Sequence, residues 1–204
     1  MRQGKFIVFE GIDGCGKSTQ IAMLKQALTD MGRAVMQTAE PTDKDTGRML
    51  REALAGRIRR TPFEMAALFT LDRIVHNTAA DGIENTLAQG VDVLSDRYYY
   101  SSLAYQGSLC DYGWVKDMNV NCPAIRRPDL CIFLDIPPKE ALRRIGKRGA
   151  AKEIYEKEET LTLFRGTFLR VFEDLGDNVA IIDASGTPDE VAAGVLAAVK
   201  NIFD

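Results

Sequence analysis

The stretch Gly11-Ile12-Asp13-Gly14-Cys15-Gly16-Lys17-Ser18-Thr19 fits G-x-x-x-x-G-K-[ST], a loop built to hold phosphate. Its flanks agree with that reading. Phe6-Ile7-Val8-Phe9 is an apolar run suited to a short buried strand, and Ile21, Leu24, Ala27, Leu28 and Met31 recur at helical spacing over residues 17–31. Between strand and helix, glycines let backbone N–H groups close around phosphate oxygens, and the helix N-terminus adds partial positive charge. Lys17 is placed to reach the β- and γ-phosphates of a nucleotide, with the Ser18 hydroxyl on Mg²⁺.

Outward from this loop, strand and helix patterns alternate. Short strands are expected at Ala34-Val35-Met36, Val91-Asp92-Val93-Leu94, Leu130-Cys131-Ile132-Phe133-Leu134 and Val179-Ala180-Ile181-Ile182. Helices are expected around residues 47–55, from Pro62 to about Ala88, and from Asp111 to about Val120. Others carry Ala141, Leu142 and Ile145, then Leu161, Phe164, Phe168, Phe172 and Leu175. Thr61-Pro62 with Glu64, and Thr187-Pro188 with Glu190, have the N-cap, N1 and N3 chemistry of helix starts. The alternation predicts an α/β fold, a parallel sheet flanked by helices, with all of residues 1–204 in one domain.

Composition limits the function classes. The chain has 46% hydrophobic and 27% charged residues and a net charge of −3, so a general nucleic-acid binder is not expected. Cys15, Cys110, Cys122 and Cys131 lack C-x-x-C or metal-ligand spacing, which predicts free thiols in a reducing compartment. A strand pattern begins within a few residues of Met1 and no apolar run has membrane-spanning length, so we expect a cytoplasmic protein with no membrane partner.

A phosphate loop is common to kinases, GTPases, motors and small ATPases, and N-K-x-D is absent here. Asp96-Arg97 follows a predicted strand, where α/β sheets bind ligands. A carboxylate there can hold the Mg²⁺ shell while the guanidinium braces phosphates. Phe69 and Arg73 lie four apart on one helix face, a ring to stack on a base beside a donor for its carbonyl, which suits a pyrimidine.

The run from Phe9 to Gln20 resembles the opening of thymidylate (dTMP) kinases, and Leu94 to Gly107 resembles that family's segment around its Asp-Arg pair. Leu68 to Arg73, Arg127-Pro128-Asp129-Leu130 and Leu134 to Pro138 follow in the family's order, so the resemblance covers essentially the whole chain. It implies the nucleoside-monophosphate-kinase form of the P-loop NTPase fold, with a five-stranded parallel sheet, a mobile lid and usually a homodimer. The implied reaction is ATP plus dTMP to ADP plus dTDP with Mg²⁺. ATP would lie on Gly11, Asp13, Gly14, Cys15, Gly16, Lys17, Ser18 and Thr19, and the metal would be held by Ser18 and Asp96. Phe69 would stack on thymine, Arg73 and Gln106 would read its polar edge, and Tyr105 would lie under the deoxyribose, with Ser102 among the acceptor contacts. Asp13 would bind the 3′-hydroxyl, and Arg97 would bridge donor and acceptor phosphates.

This chain departs from the family pattern in two places. Gly14 stands where one branch carries an arginine, so the resemblance points to a basic lid around residues 143–152, with Arg148 and then Arg144 as the catalytic candidates among Arg143, Arg144, Lys147 and Arg148. Ala39 stands where many bacterial relatives have arginine, and Arg51 (or Arg48) is the candidate to contact the acceptor phosphate instead. His76 reads as a packed or surface histidine, and Cys15 as a small loop residue whose thiol the helix terminus and Lys17 would activate. Other pyrimidine nucleotide kinases, a deoxynucleoside kinase, and a nucleotide-binding switch without phosphoryl transfer remain alternatives at this stage.

Overall fold

Five strands lie in one parallel sheet: β1 (Phe6–Glu10), β2 (Val35–Ala39), β3 (Asp92–Asp96), β4 (Leu130–Asp135) and β5 (Val179–Asp183). Their order is β2-β3-β1-β4-β5 in the computed structural model, which describes residues 3–147 and 157–203. The central strand β1 is fully buried from Phe6 to Glu10, and Leu130–Leu134 of β4 is buried as well, as a strand covered on both faces requires. The edge strands β2 and β5 are half-buried. Because β1 is flanked by β3 and β4, the chain leaves it at the crevice where open α/β sheets bind ligands.

The helices are α1 (Lys17–Asp30), α2 (Asp45–Leu54), α3 (Pro62–Thr78), α4 (Ile83–Ala88), α5 (Tyr99–Tyr105), α6 (Tyr112–Val120), α7 (Pro138–Lys147), α8 (Glu158–Leu175) and α9 (Pro188–Lys200). Both predicted capping boxes form: the Thr61 and Thr187 hydroxyls accept from the backbone of Glu64 and Glu190, whose carboxylates accept from the cap N–H in return. Asp111 caps α6 through Trp114 N–H. The core between α5, α8 and β4 is aromatic, with Phe133 between Phe168 and Phe172 (ring centroids 5.3 and 5.1 Å) and Tyr105 against Phe164 at 4.2 Å.

Two elements differ from the sequence reading. The long helix expected to residue 88 is two, α3 and α4, because the chain turns extended at Ala79 and tightens at Gly82. A Cβ on Gly82 would lie 2.6 Å from the His76 carbonyl oxygen. The Tyr/Ser-rich segment after β3, for which we predicted no element, forms α5. Tyr99, Tyr100, Leu103 and Ala104 are all inaccessible, so no polar face marks the helical period. Elsewhere the differences are at ends: β2 runs on to Ala39, and α2 starts at Asp45.

Candidate active site

The loop between β1 and α1 turns on glycines at positive φ: Gly11 (143°), Gly14 (83°) and Gly16 (102°). At Gly14 the demand is double, since a Cβ would also meet the Ala141 carbonyl oxygen of α7 at 2.5 Å. Gly16 caps α1 without a side-chain acceptor and no acidic residue occupies the first turn, so the helix terminus offers its N–H groups and partial charge to an anion. Lys17 is buried, its Nζ donating to Gly11 O at 3.0 Å.

The neighbouring strand end contributes Asp96 and Arg97. Ser18 Oγ lies 3.5 Å from Asp96 Oδ2, while Asp96 Oδ1 is buried with no hydrogen-bond partner among the described residues. Arg97 adopts φ 69°, the one non-glycine residue at positive φ among those described, a conformation that is costly unless its surroundings hold it. They do so closely. Its N–H donates to Phe9 O at 2.9 Å, its guanidinium pairs with Asp13 and donates to Ser101 Oγ at 3.1 Å, and it lies 5.5 Å from the Tyr105 ring centroid. Burial alone would lower the Arg97 pKa, but Tyr105, Asp13, Glu10 and Asp96 raise it well above the ordinary value, so the cation is secure.

Behind this turn sits Glu10, fully buried at the end of β1. Its Oε1 accepts from the N–H groups of Tyr98 (2.9 Å) and Ser101 (3.1 Å), and its Oε2 accepts from the Ser101 hydroxyl at 2.7 Å. Desolvation pushes its pKa up to about 7, against the lowering effects of Arg97, Ser101, Tyr98 and Lys17.

Towards α3 and α5 the wall is polar and buried. Glu40 Oε2 accepts from Nε (2.9 Å) and Nη2 (2.6 Å) of Arg73, Ser102 Oγ lies 3.2 Å from Nη2, and Asn119 Oδ1 accepts from Nη1. Tyr105 and Gln106 are buried beside them on α5 and the following turn. Asp72 ties the loop after β2 to α3, accepting from Thr42 N–H (2.8 Å) and from the Thr42 and Thr46 hydroxyls (both 2.6 Å). Arg51 donates to Pro41 O at 3.0 Å on the same loop. On the opposite side of the phosphate loop, a cavity of about 310 Å³ is lined by Gly14, Gly16, Thr19, Gln20, Arg144 and the Ala184 to Pro188 turn.

Comparison with known proteins decides what this geometry belongs to. The family model described as "Thymidylate kinase" matches residues 9–195. The "Thymidylate kinase" of Akkermansia muciniphila is 41% identical over 204 residues, covering 99% of this chain and 94% of that protein. The "Probable thymidylate kinase" of Pyrococcus horikoshii is 37% identical over 205 residues (98% and 97%), and that of Pyrobaculum aerophilum 39% over 199 (97% of each). The chain belongs to the thymidylate kinase family. It is accordingly a kinase, and the alternative of a switch without phosphoryl transfer falls away.

For a thymidylate kinase family member, several residues singled out in the sequence meet in space. Gly11, Asp13, Gly14, Cys15 and Gly16 lie in the loop and Lys17, Ser18 and Thr19 in the first turn of α1 that follows it, Asp13 reaches Arg97, Ser18 approaches Asp96, and Arg73 reaches Ser102. Phe69 is half-buried one turn before Arg73. Arg48 donates to Asp43 O and pairs with Asp45 at the surface, while Arg51 pairs with Asp43 besides donating to Pro41 O. Arg144 engages Glu140 (3.1 Å) and Ser185 O (3.3 Å), whereas Arg143 is on the exposed side, paired with Glu140. Arg148, the first lid candidate, lies outside the described residues, as do residues 149–152 of the 143–152 stretch. Activation of Cys15 is corrected: the thiol is 2% exposed, and burial raises its pKa more than Lys17 lowers it. Sequence reasoning missed Glu10, Glu40, Asn119 and the Asp135–Arg165 pair (2.5 and 2.7 Å). A carboxylate closing an otherwise apolar buried strand was the available signal for Glu10.

Among the described residues no helix is long and apolar enough to cross a membrane.

Proposed function

We propose that this chain transfers the terminal phosphoryl group of ATP to dTMP, giving ADP and dTDP. The observation that carries the reading is the juxtaposition, at the carboxyl ends of β1 and β3, of the Lys17 loop with the Arg97–Asp13 pair and the Arg73–Ser102 wall. Chemistry asks little more of the protein. A phosphate monoester has a second pKa of about 6, so the acceptor oxygen is already largely ionised and needs no general base. What remains is positioning and charge neutralisation around the transferred group.

Lys17 neutralises the β- and γ-phosphates, and Arg97, fixed in its strained turn, stands between the donor loop and the acceptor. Asp13 holds the sugar 3′-hydroxyl and orients Arg97. Phe69 stacks on thymine, Arg73 and Gln106 read its polar edge, Tyr105 underlies the deoxyribose, and Arg51 meets the acceptor phosphate. The cavity beside Gly16 and Arg144 takes the rest of the ATP, with Arg144, and Arg148 from the lid, as the further basic groups. Ser18 and Asp96 fit Mg²⁺, since they offer hard oxygen donors close together and one carboxylate oxygen lacks a partner among the described residues. These two residues would hold the ion, which would supply positive charge against the phosphates.

We take residues 1–204 as one catalytic domain working in the cytoplasm, without nucleic acid or membrane as partner. We also take it to pair with a second copy: Phe63, Leu71 and Trp114 are exposed apolar side chains on α3 and α6, with the Phe63 and Trp114 rings 5.5 Å apart. The deciding experiment is ADP release from ATP-Mg²⁺ with dTMP, dUMP, UMP, CMP, AMP or thymidine as acceptor. dTMP is expected to be strongly preferred, and preference for another monophosphate would overturn the base-reading assignment.

A further inference from the structure

His76 is the single histidine of the chain and is 4% exposed, one turn beyond Arg73 on α3. Its Nδ1 lies 3.0 Å from Glu40 Oε1 and its Nε2 lies 2.8 Å from Thr38 Oγ1. A carboxylate only accepts hydrogen bonds, so Nδ1 carries a proton, and in the neutral ring Nε2 accepts from the Thr38 hydroxyl. Glu40 is thereby held from both ends, Oε1 by His76 and Oε2 by Arg73.

The Arg73 guanidinium has five N–H groups. Two go to Glu40, one to Ser102 and one to Asn119, which leaves a second N–H on Nη1 without a partner among the described residues. Asn119 is itself anchored, its Nδ2 donating to Val115 O at 2.8 Å. The Arg73 and Glu40 side chains are 1% and 2% exposed. A buried ion pair of this kind repays its desolvation poorly, so stability alone is a weak reason for it. What it does supply is orientation: a guanidinium held on three sides presents its remaining N–H in one direction.

We infer that Glu40, held by His76, and Asn119 are positioning residues that aim the remaining Nη1 N–H of Arg73 at a carbonyl oxygen of the base. They thereby set the preference for a 4-keto over a 4-amino pyrimidine. This rests on the dTMP reading above. A site whose buried donor expects an acceptor discriminates strongly against an amine in that place, because donor then faces donor and one is left unsatisfied. The discrimination survives only while the donor cannot turn.

The test is the ratio of kcat/KM for dTMP over dCMP in the wild type, Glu40→Gln, His76→Phe and His76→Asn. Glu40→Gln removes the negative charge that holds the Arg73 guanidinium, while its NH₂ can still be met by the other tautomer of His76. His76→Phe removes the Nδ1 donor, whereas His76→Asn puts an amide N–H near the same place. Glu40→Gln and His76→Phe are expected to lower the ratio about tenfold or more, chiefly through the KM for dTMP. His76→Asn is expected to restore most of what His76→Phe loses. Thermal melting identifies a variant that has simply unfolded, and Glu40→Gln carries the test if His76→Phe does. Equal losses on both nucleotides, with the ratio unchanged, would overturn the inference. A wild type that does not prefer dTMP over dCMP sinks the functional reading itself, a separate result visible before any variant is made.

Discussion

Glu10 gives the sharpest physical test of this structure. Its carboxyl is inaccessible, and burial lifts its pKa from 4.5 to about 7. Between those values the folded protein keeps a proton that the unfolded chain has released, so the free energy of unfolding falls as pH rises. The stabilisation is complete below the unfolded pKa and is lost as pH climbs through the folded one. A pKa displaced this far corresponds to about 3 kcal/mol in total, of which about 2.5 kcal/mol falls between pH 5 and pH 8. Glu10→Gln removes the titration yet keeps the geometry: its carbonyl oxygen can accept from Tyr98 and Ser101 N–H, and its NH₂ can donate to Ser101 Oγ. Urea unfolding of both proteins at pH 5, 6, 7 and 8, followed by circular dichroism, isolates the effect, because distant titrating groups cancel in the difference. The variant is expected to gain about 2.5 kcal/mol on the wild type from pH 5 to pH 8, or roughly 5–10 °C in Tm. A difference that stays flat with pH would refute the reasoning, and one of opposite sign would mean that the Arg97 cation outweighs desolvation.

Lys17→Met should leave the fold intact and lower kcat by roughly 10²–10³ or more, since it removes a preorganised charge at the transferred phosphoryl group, as single-turnover kinetics will read. Gly14→Ala forces a Cβ to within 2.5 Å of Ala141 O at a φ of 83°, so it should cost about 1–3 kcal/mol and weaken ATP binding, measured by urea unfolding and calorimetry. In the folded protein Cys15 should be alkylated by iodoacetamide more slowly than a free thiol at pH 8, and mass spectrometry should find it labelled readily only after unfolding.

Local sequence patterns settled a good deal here. The phosphate loop, the alternation of strands and helices, the two Thr-Pro-x-Glu helix starts and the strand-end Asp96-Arg97 are short-range features, because propensity, capping and glycine conformation act within a few residues. The family resemblance added the whole-chain assignment that the comparisons bear out. Other features needed the packed chain. α5 was invisible because burial on all sides erases the polar–apolar period on which helix recognition depends. Cys15 reads as activated beside Lys17 in the sequence, yet packing removes it from water and desolvation wins. The partners of Arg73 lie 29, 33 and 46 residues away in the chain, and Glu10 meets Ser101 across 91. Sequence named the groups that carry charge; only the tertiary structure decided which charges face one another and how far water is kept from them, because dielectric and hydrogen-bond geometry are properties of the packed interior.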